Sequence, residues 1–252
     1  MEYPTVFTAA LANVPFTVSC RFPQNKAFFA DYLSDGEPRF CVAPEEKDLL
    51  AAKESYLRTM RAEGKTPLPC SEPFLENLAL HALIAEEMLA FDTLLMHGSA
   101  VALDGEVFLF TAESGVGKST HTRLWRETFG ERAFALNDDK PLLAVREGGV
   151  FACGTPWCGK HGLNRNAVLP LRAVAWLTRG QTNTIRPLSP AEAIPTLFSQ
   201  CYRSESEKSM EKILRLEDAL LRRVPFFKLA CTISSDAVRV AYEGMTGRKW
   251  KK

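Results

Sequence analysis

The stretch Gly105-Glu-Val-Phe-Leu-Phe-Thr-Ala-Glu-Ser-Gly-Val-Gly-Lys-Ser-Thr120 decides how this chain is organised. Val107 to Phe110 is a short apolar run, which is typical of a strand buried in a sheet. Small residues follow at 112–117 and predict a loop, and a helix is expected from Lys118. Backbone N–H groups point into such a loop and the helix N-terminus adds partial positive charge, so the stretch predicts a phosphate cradle.

The residue types in this loop have separate expected roles. Gly115 and Gly117 let the backbone approach a phosphate where a Cβ would collide. Lys118 is expected to reach the β- and γ-phosphates, and the Ser119 hydroxyl to bind Mg²⁺. The pattern G-x-x-x-x-G-K-[ST] is matched except at Ala112, which requires a negative φ at the loop entry. We predict a site for ATP and Mg²⁺ formed by Ser114, Gly115, Val116, Gly117, Lys118, Ser119 and Thr120. The competing interpretation is a glycine-rich turn before an ordinary helix.

The composition of the 252-residue chain is that of a folded globular protein, with 46% hydrophobic and 24% charged residues. A formal net charge of +1 gives no electrostatic reason to expect nucleic acid or an acidic membrane as a partner. No apolar run reaches the length of a membrane span, and the N-terminus lacks a secretory pattern. Seven cysteines without a C-x-x-C pair argue against a disulfide framework or a structural zinc site. They indicate a reducing, cytoplasmic location.

Two regions of the chain differ in their patterns. Residues 1–92 alternate short β-like pieces with amphipathic helices and predict a small N-terminal α+β lobe with packing helices. Residues 93–252 predict an α/β core in which a hairpin around Asp104-Gly105 leads into the phosphate loop. Further strands are expected at 133–137, 141–145, 151–153, 174–177 and 226–233, and helices from Ser189, over 207–224 and from Ser234.

Two acids follow one of these strands, in Asn137-Asp138-Asp139. Paired carboxylates beside a phosphate loop suit two tasks, holding Mg²⁺ and taking the proton of an attacking hydroxyl. Adjacent residues of an extended strand point to opposite sides, so both can serve only if the backbone bends. The competing interpretation is a solvated turn.

Two other segments carry candidate groups. His97 enters the strand paired with the loop strand, so its imidazole is expected near the acids or the γ-phosphate. The segment 154–164 contains three glycines and a proline and predicts an ordered functional loop. In it, Lys160 is a candidate for offsetting the charge of the transferred phosphate, and Trp157 for stacking on a substrate. The competing interpretation of the whole segment is a surface turn. Arg165, Arg172 and Arg203 are candidates for binding an acidic substrate.

The order His97-Gly98, then Ser114-Gly-Val-Gly-Lys-Ser119, then Asp138-Asp139 resembles the HPr kinase/phosphorylase and phosphoenolpyruvate carboxykinase superfamily over roughly residues 95–180. The resemblance implies a P-loop kinase core of that type. It also implies that His97 and Asp138 assist proton transfer while Ser119 and Asp139 hold the metal, with the two aspartates open to exchange. Residues 154–160 look like those of bacterial HPr-kinase-like serine kinases. Because no Glu-x-Arg-Gly signature follows the acids, neither HPr as substrate nor phosphorolysis is carried over.

The expected function is an ATP-dependent kinase that transfers the γ-phosphate to a hydroxyl, with serine, free or in a peptide, as the favoured acceptor. The catalytic residues would be Asp138, His97, Lys118 and Lys160. Two alternatives stay open: a regulator that senses ATP or ADP without transfer, and a kinase for a sugar or polyol. The expected partner is a hydroxyl-bearing substrate, neither nucleic acid nor a membrane is expected, and assembly as a homo-oligomer is left open.

Overall fold

The computed structural model describes residues 2–250, and its mixed α/β architecture confirms the class expected from the sequence. The chain divides into two compact units, one up to Phe91 and one from Asp92 onward. None of the helices within residues 2–250 combines the length and the apolar character that crossing a lipid bilayer requires.

The first unit contains a three-stranded sheet and three α-helices. Its elements are β1 (Thr5–Leu11), β2 (Val14–Cys20), α1 (Pro23–Phe28), β3 (Cys41–Val42), α2 (Glu46–Ala62) and α3 (Glu72–Met88). Strands β1 and β2 form an antiparallel hairpin, and β3 joins β2 in parallel. The hairpin turns at Ala12 and Asn13, whose φ angles of 51° and 63° match the twist of the flanking strands.

A buried carboxylate fixes the junction of β2 and α1 in this unit. Glu76 of α3 is fully buried and accepts hydrogen bonds from the backbone N–H groups of Arg21 (2.8 Å) and Phe22 (3.2 Å). The side-chain amide of Asn25 donates a third bond over 2.7 Å. These donors satisfy a charge that would otherwise be costly to bury.

The second unit contains the other nine strands and four α-helices. Its elements are β4 (Thr93–Leu95), β5 (Ser99–Leu103), β6 (Glu106–Thr111), α4 (Lys118–Phe129), β7 (Ala133–Asn137), β8 (Leu142–Arg146), β9 (Gly149–Cys153), β10 (Val168–Arg179), β11 (Thr184–Pro187), α5 (Pro190–Gln200), α6 (Glu207–Arg223), β12 (Phe226–Cys231) and α7 (Ser235–Thr246).

These strands form one sheet with the order β4-β8-β9-β10-β6-β5-β7, in which β12 pairs with both β10 and β11. The hairpin of β5 and β6 predicted around Asp104-Gly105 is confirmed, with φ angles of 51° and 82° at the two turn residues. Strand β6, which leads into the phosphate loop, is therefore central and has β5 on one side and β10 on the other.

Strand β10 links three other strands because it is long and bends. Its residues Val168–Pro170 pair antiparallel with β9, and Leu171–Trp176 pair parallel with β6. Val174–Arg179 pair parallel with β12. The register with β6 shifts between Leu171 and Ala173, and such an irregularity increases the local twist.

The core beneath the phosphate loop is built around Trp125 of α4. This side chain is fully buried and its ring lies 4.8 Å from that of Phe108 and 5.4 Å from that of Phe110, both on β6. The surrounding buried residues come from the sheet and from α7 and include Val101, Ala112, Ala173, Ala175, Leu177, Leu229, Val238, Ala241 and Met245. Helix α4 is thereby fixed against the sheet.

His121 of α4 is buried in this core and makes stability depend on pH. The indole N–H of Trp125 donates to His121 Nε2 over 3.1 Å, so the imidazole is neutral, and burial lowers its pKa from 6.5 to about 4. The unfolded chain takes up the proton near pH 6.5 and the folded chain only near pH 4. The free energy of unfolding should therefore fall by about 3 kcal/mol as the pH drops through this window.

Denaturant unfolding of the wild type and of His121→Gln between pH 7 and pH 4 measures this dependence. Glutamine keeps a neutral acceptor for Trp125 but cannot titrate, so the variant should lose the His121 part of the slope. An identical slope in both proteins would contradict the assignment.

Candidate active site

The predicted phosphate loop occupies residues 112–117, between the end of β6 and the start of α4. Gly115 and Gly117 have φ angles of +77° and +122°, which L side chains rarely adopt. Ala112 is fully buried and has a negative φ, as the substitution of the first glycine requires. The loop therefore tolerates alanine at its entry but needs glycine at its two later turns.

Lys118 begins α4 and its ammonium group folds back over the loop. Its Nζ donates to the carbonyl oxygen of Ala112 over 3.0 Å and lies 3.5 Å from that of Glu113. Ser119 and Thr120 follow in the first turn of the helix and are half-buried. The cationic group is thus held at the loop, where a phosphate would meet it.

The backbone bends at the end of β7, so the two aspartates take different directions. The side-chain oxygen of Asn137 accepts the N–H groups of Asp139 (2.9 Å) and Lys140 (2.7 Å), which is the geometry of an Asx turn. Asp138 is 7% exposed and its Oδ1 lies 2.5 Å from Ser99 Oγ. Ser99 Oγ in turn lies 2.7 Å from Thr122 Oγ1 on α4. Asp138 therefore faces the helix that follows the phosphate loop.

His97 lies against Asp139, with 3.4 Å between Nε2 and Oδ1. His97 was expected near the acids or the γ-phosphate, assisting proton transfer together with Asp138; its contact is with the second acid, Asp139. The reason is the backbone: Gly98 N–H donates to the Asp139 carbonyl over 2.9 Å, which holds the two segments side by side. A Cβ at Gly98 would lie 2.8 Å from Leu109 Cδ1, so a larger residue there would require the Leu109 side chain to shift.

The segment 154–164 packs directly beneath the acids. Thr155 is fully buried, and Asn137 Nδ2 donates to its carbonyl oxygen over 2.9 Å. A Cβ at Gly159 would come within 3.3 Å of Asp139 Cβ. At Gly154 a Cβ would lie 1.9 Å from the Arg165 carbonyl oxygen, so only glycine fits. Residues 154–158 are therefore buried and support the acid turn, whereas residues 159–162 form an exposed turn.

The side chains of this segment differ from the expectation. Trp157 is only 9% exposed, so it cannot offer a face for stacking on a substrate. Burial raises the pKa of the Cys158 thiol, and Asn164 Nδ2 donates to its sulfur over 3.0 Å. Lys160 lies exposed in a short 3-10 turn, Gly159–His161, directly after the glycine that contacts Asp139.

Three arginines proposed for an acidic substrate are engaged elsewhere. The Arg165 guanidinium carbon lies 3.9 Å from the centre of the Phe134 ring. Arg172 contacts Glu106 and the carbonyl oxygen of Thr246. Arg203 Nη2 lies 2.6 Å from the Glu217 carboxylate. Each of the three side chains therefore has a partner within the chain.

A fourth arginine, Arg179, reaches the phosphate loop. Strands β6 and β10 are parallel, so their carboxyl ends meet at the same edge of the sheet. Arg179 at the end of β10 donates through Nη2 to the Gly115 carbonyl oxygen over 2.8 Å. No local motif marks this residue in the sequence. The signal that could have identified it is its position at the end of a strand parallel to the loop strand.

A cavity of about 390 Å³ adjoins the loop on the face of α4 opposite Thr122. Thr120 and Leu124 line it from the helix, where residues four apart share a face. The ends of β10 and β12 close it, with Leu177, Thr178, Arg179, Gly180, Cys231, Thr232 and Ile233. The loop thus has the acids on one side and a part apolar, part hydroxyl-lined cavity on the other.

The candidate residues include the oxygen donors that Mg²⁺ prefers as ligands. Ser119 and Asp139 offer a hydroxyl and a carboxylate, and Mg²⁺ is commonly held by one or two carboxylates together with substrate phosphates. In the part of the chain from residue 2 to residue 250, no cluster of three or more His, Cys, Asp or Glu side chains could hold a metal without such help.

Comparison with known proteins gives a distant similarity of fold. No protein-family model and no curated protein sequence matches the chain. Among solved structures, the chain is similar to the Hpr(Ser) kinase/phosphatase from Coxiella burnetii, with 12% sequence identity and a TM-score of 0.37. The similarity covers 61% of this chain and 93% of that one.

Proposed function

We propose that this protein is an ATP- and Mg²⁺-dependent kinase, built on a P-loop core of the HPr kinase type, that phosphorylates a hydroxyl group. The favoured acceptor is serine, free or in a peptide. The observation that carries the proposal is the position of Asp138: a buried carboxylate linked through Ser99 to α4, the helix on which the phosphate loop ends. A base held beside a phosphate cradle is what transfer from ATP to a hydroxyl requires.

In this mechanism the loop N–H groups and Lys118 bind the phosphates, and Asp138 accepts the proton of the attacking hydroxyl. A bond forms between the acceptor oxygen and the γ-phosphorus while the bond from that phosphorus to the β–γ bridging oxygen breaks, and ADP leaves. Ser119 and Asp139 would hold Mg²⁺, which when bound offsets charge on the phosphate oxygens. Lys160, exposed beside the acids, would add a further positive charge.

A second assignment of the acids rests on the contact between His97 and Asp139. A histidine beside a carboxylate is a common arrangement for moving a proton. In this alternative Asp139 is the base, assisted by His97, and Asp138 is the carboxylate near the metal. The variants Asp138→Asn and Asp139→Asn distinguish the two assignments.

Incubation with Mg-ATP and a panel of acceptors tests the proposed function. The panel contains serine, serine peptides, and sugars or polyols, and mass spectrometry detects any phosphorylated product. A phosphoserine product supports the proposal, and a sugar phosphate assigns the same reaction to a small molecule. Nucleotide binding without any product would overturn the kinase and favour a nucleotide sensor.

We expect Arg179→Ala to weaken ATP binding about 10-fold, because the loop loses a cation and the bond that orients the Gly115 carbonyl. Isothermal titration calorimetry with ATP and with ADP measures the dissociation constants. Raising the salt concentration should reduce the difference in affinity between the wild type and the variant. Arg215→Ala is the matched control, since Arg215 is an exposed arginine paired with Glu211 within α6. Equal affinities in the wild type and Arg179→Ala would contradict a role for Arg179 at the phosphates.

A further inference from the structure

Two hydroxyl groups connect the phosphate-loop helix to the proposed base. Ser99, the first residue of β5, is 1% exposed, and Thr122, in the second turn of α4, is 3% exposed. Ser99 Oγ lies 2.5 Å from Asp138 Oδ1 and 2.7 Å from Thr122 Oγ1. The three side chains come from β5, α4 and the turn after β7, so the connection exists only in the folded sheet.

The chemistry of the groups gives this chain of hydrogen bonds a direction. An ionised carboxylate can only accept, so the single proton of Ser99 points to Asp138. Ser99 Oγ can then only accept from Thr122, whose hydroxyl proton points to Ser99. The other acceptors near Thr122 Oγ1 are the carbonyl oxygens of Lys118 (3.4 Å) and Ser119 (3.3 Å), both more distant than Ser99. The order is therefore Thr122 to Ser99 to Asp138.

We infer that Ser99 and Thr122 are positioning residues which aim the Asp138 carboxylate at the γ-phosphate. This inference rests on the proposed function. Thr122 lies one turn after Lys118 on the same helix. The hydrogen bonds from Thr122 through Ser99 therefore orient the Asp138 carboxylate relative to the helix that begins at the phosphate loop. Neither hydroxyl needs to touch the substrate, because both act through the orientation of Asp138.

If Ser99 and Thr122 only position Asp138, their removal should lower turnover without weakening nucleotide binding. Thr122→Val removes the hydroxyl at nearly constant shape, and Ser99→Ala removes the donor to Asp138. Each should lower kcat about 10- to 100-fold, the usual cost of losing a group that orients a catalytic residue, and leave the Kd for ADP unchanged. Thr122→Ser keeps the hydroxyl and should restore kcat to near the wild-type value. A fall in kcat in Thr122→Ser as large as in Thr122→Val would assign the effect to packing and overturn the inference.

The double variant tests whether the two hydroxyls act in one chain. In the Ser99→Ala background, Thr122→Val should cause no further loss of kcat, because the connection is already broken. If the two substitutions lower kcat by fully multiplicative factors, the hydroxyls act independently and the hydrogen-bonded series from Thr122 to Asp138 is overturned. Thr246→Val is the control, since Thr246 is also a buried helical threonine whose hydroxyl donates to a backbone carbonyl, that of Tyr242, outside the site. It should change stability but not kcat.

A measurement that needs no turnover keeps this inference separable from the proposed function. The side-chain ¹³C resonance of Asp138, assigned by its loss in Asp138→Asn, should move in Ser99→Ala. It should also move in Thr122→Val, although Thr122 does not touch the carboxylate. An unmoved resonance in both variants overturns the chain even if the protein is a kinase. If the resonance moves in the variants but the wild-type protein phosphorylates no acceptor, the proposed function is overturned and, with it, the positioning role.

Discussion

Lys118→Ala is expected to reduce the rate of ATP-dependent phosphate transfer about 100- to 1,000-fold. This is the usual loss when a single preorganised group that stabilises transition-state charge is removed. The ammonium group donates to the carbonyl oxygens of Ala112 and Glu113, and it lies at the loop rather than in the core. The variant should therefore keep its fold while ATP binding and turnover both fall. Product formation and ATP titration measure the two effects.

The control for this experiment is Lys208→Ala, which removes an exposed lysine in the first turn of α6. It changes the net charge of the protein by the same amount without touching the loop. Thermal unfolding of both variants should remain near that of the wild type. Full activity in Lys118→Ala would exclude the loop as the phosphate site and would end the kinase proposal.

Asp138→Asn should lower kcat about 100- to 10,000-fold, the range that general acid–base catalysis contributes. Asparagine has the same shape and its oxygen can still accept the Ser99 hydroxyl, so packing should be preserved. It cannot take up a proton from the acceptor. Nucleotide binding should therefore be retained, and single-turnover measurements with bound Mg-ATP would locate the loss in the transfer step.

Asp139→Asn is the matched partner of this variant. If Asp139 holds the metal, the variant should need more Mg²⁺ for half-maximal activity and recover part of its rate at high Mg²⁺. If instead Asp139→Asn abolishes transfer at saturating Mg²⁺ while Asp138→Asn retains it, the two roles are exchanged and His97 assists the base. Retained transfer in both variants would remove the acids from the mechanism.

Most of the local framework could be predicted from the sequence because its signals are local. The loop at residues 112–117 follows from glycines whose positive φ angles L side chains rarely adopt, and the hairpin follows from Asp104-Gly105. Helix α6 (Glu207–Arg223) follows from the spacing of its apolar residues and the proline after it. Strands β4 and β11 carry no such signal, since β4 is three residues long and β11 ends in proline at the rim of the sheet.

The sequence by itself determined a glycine-bearing loop between a strand and a helix, with glycine required at its turns, and two acids after a neighbouring strand. Only the tertiary structure decided which groups meet. Ser99 contacts Thr122 and Asp138 across 23 and 39 residues of chain, and Arg179 reaches Gly115 across 64. The physical reason is that a turn or a helix is set by neighbours in sequence, whereas the direction of a side chain at a sheet edge is set by which strands pair and where each ends.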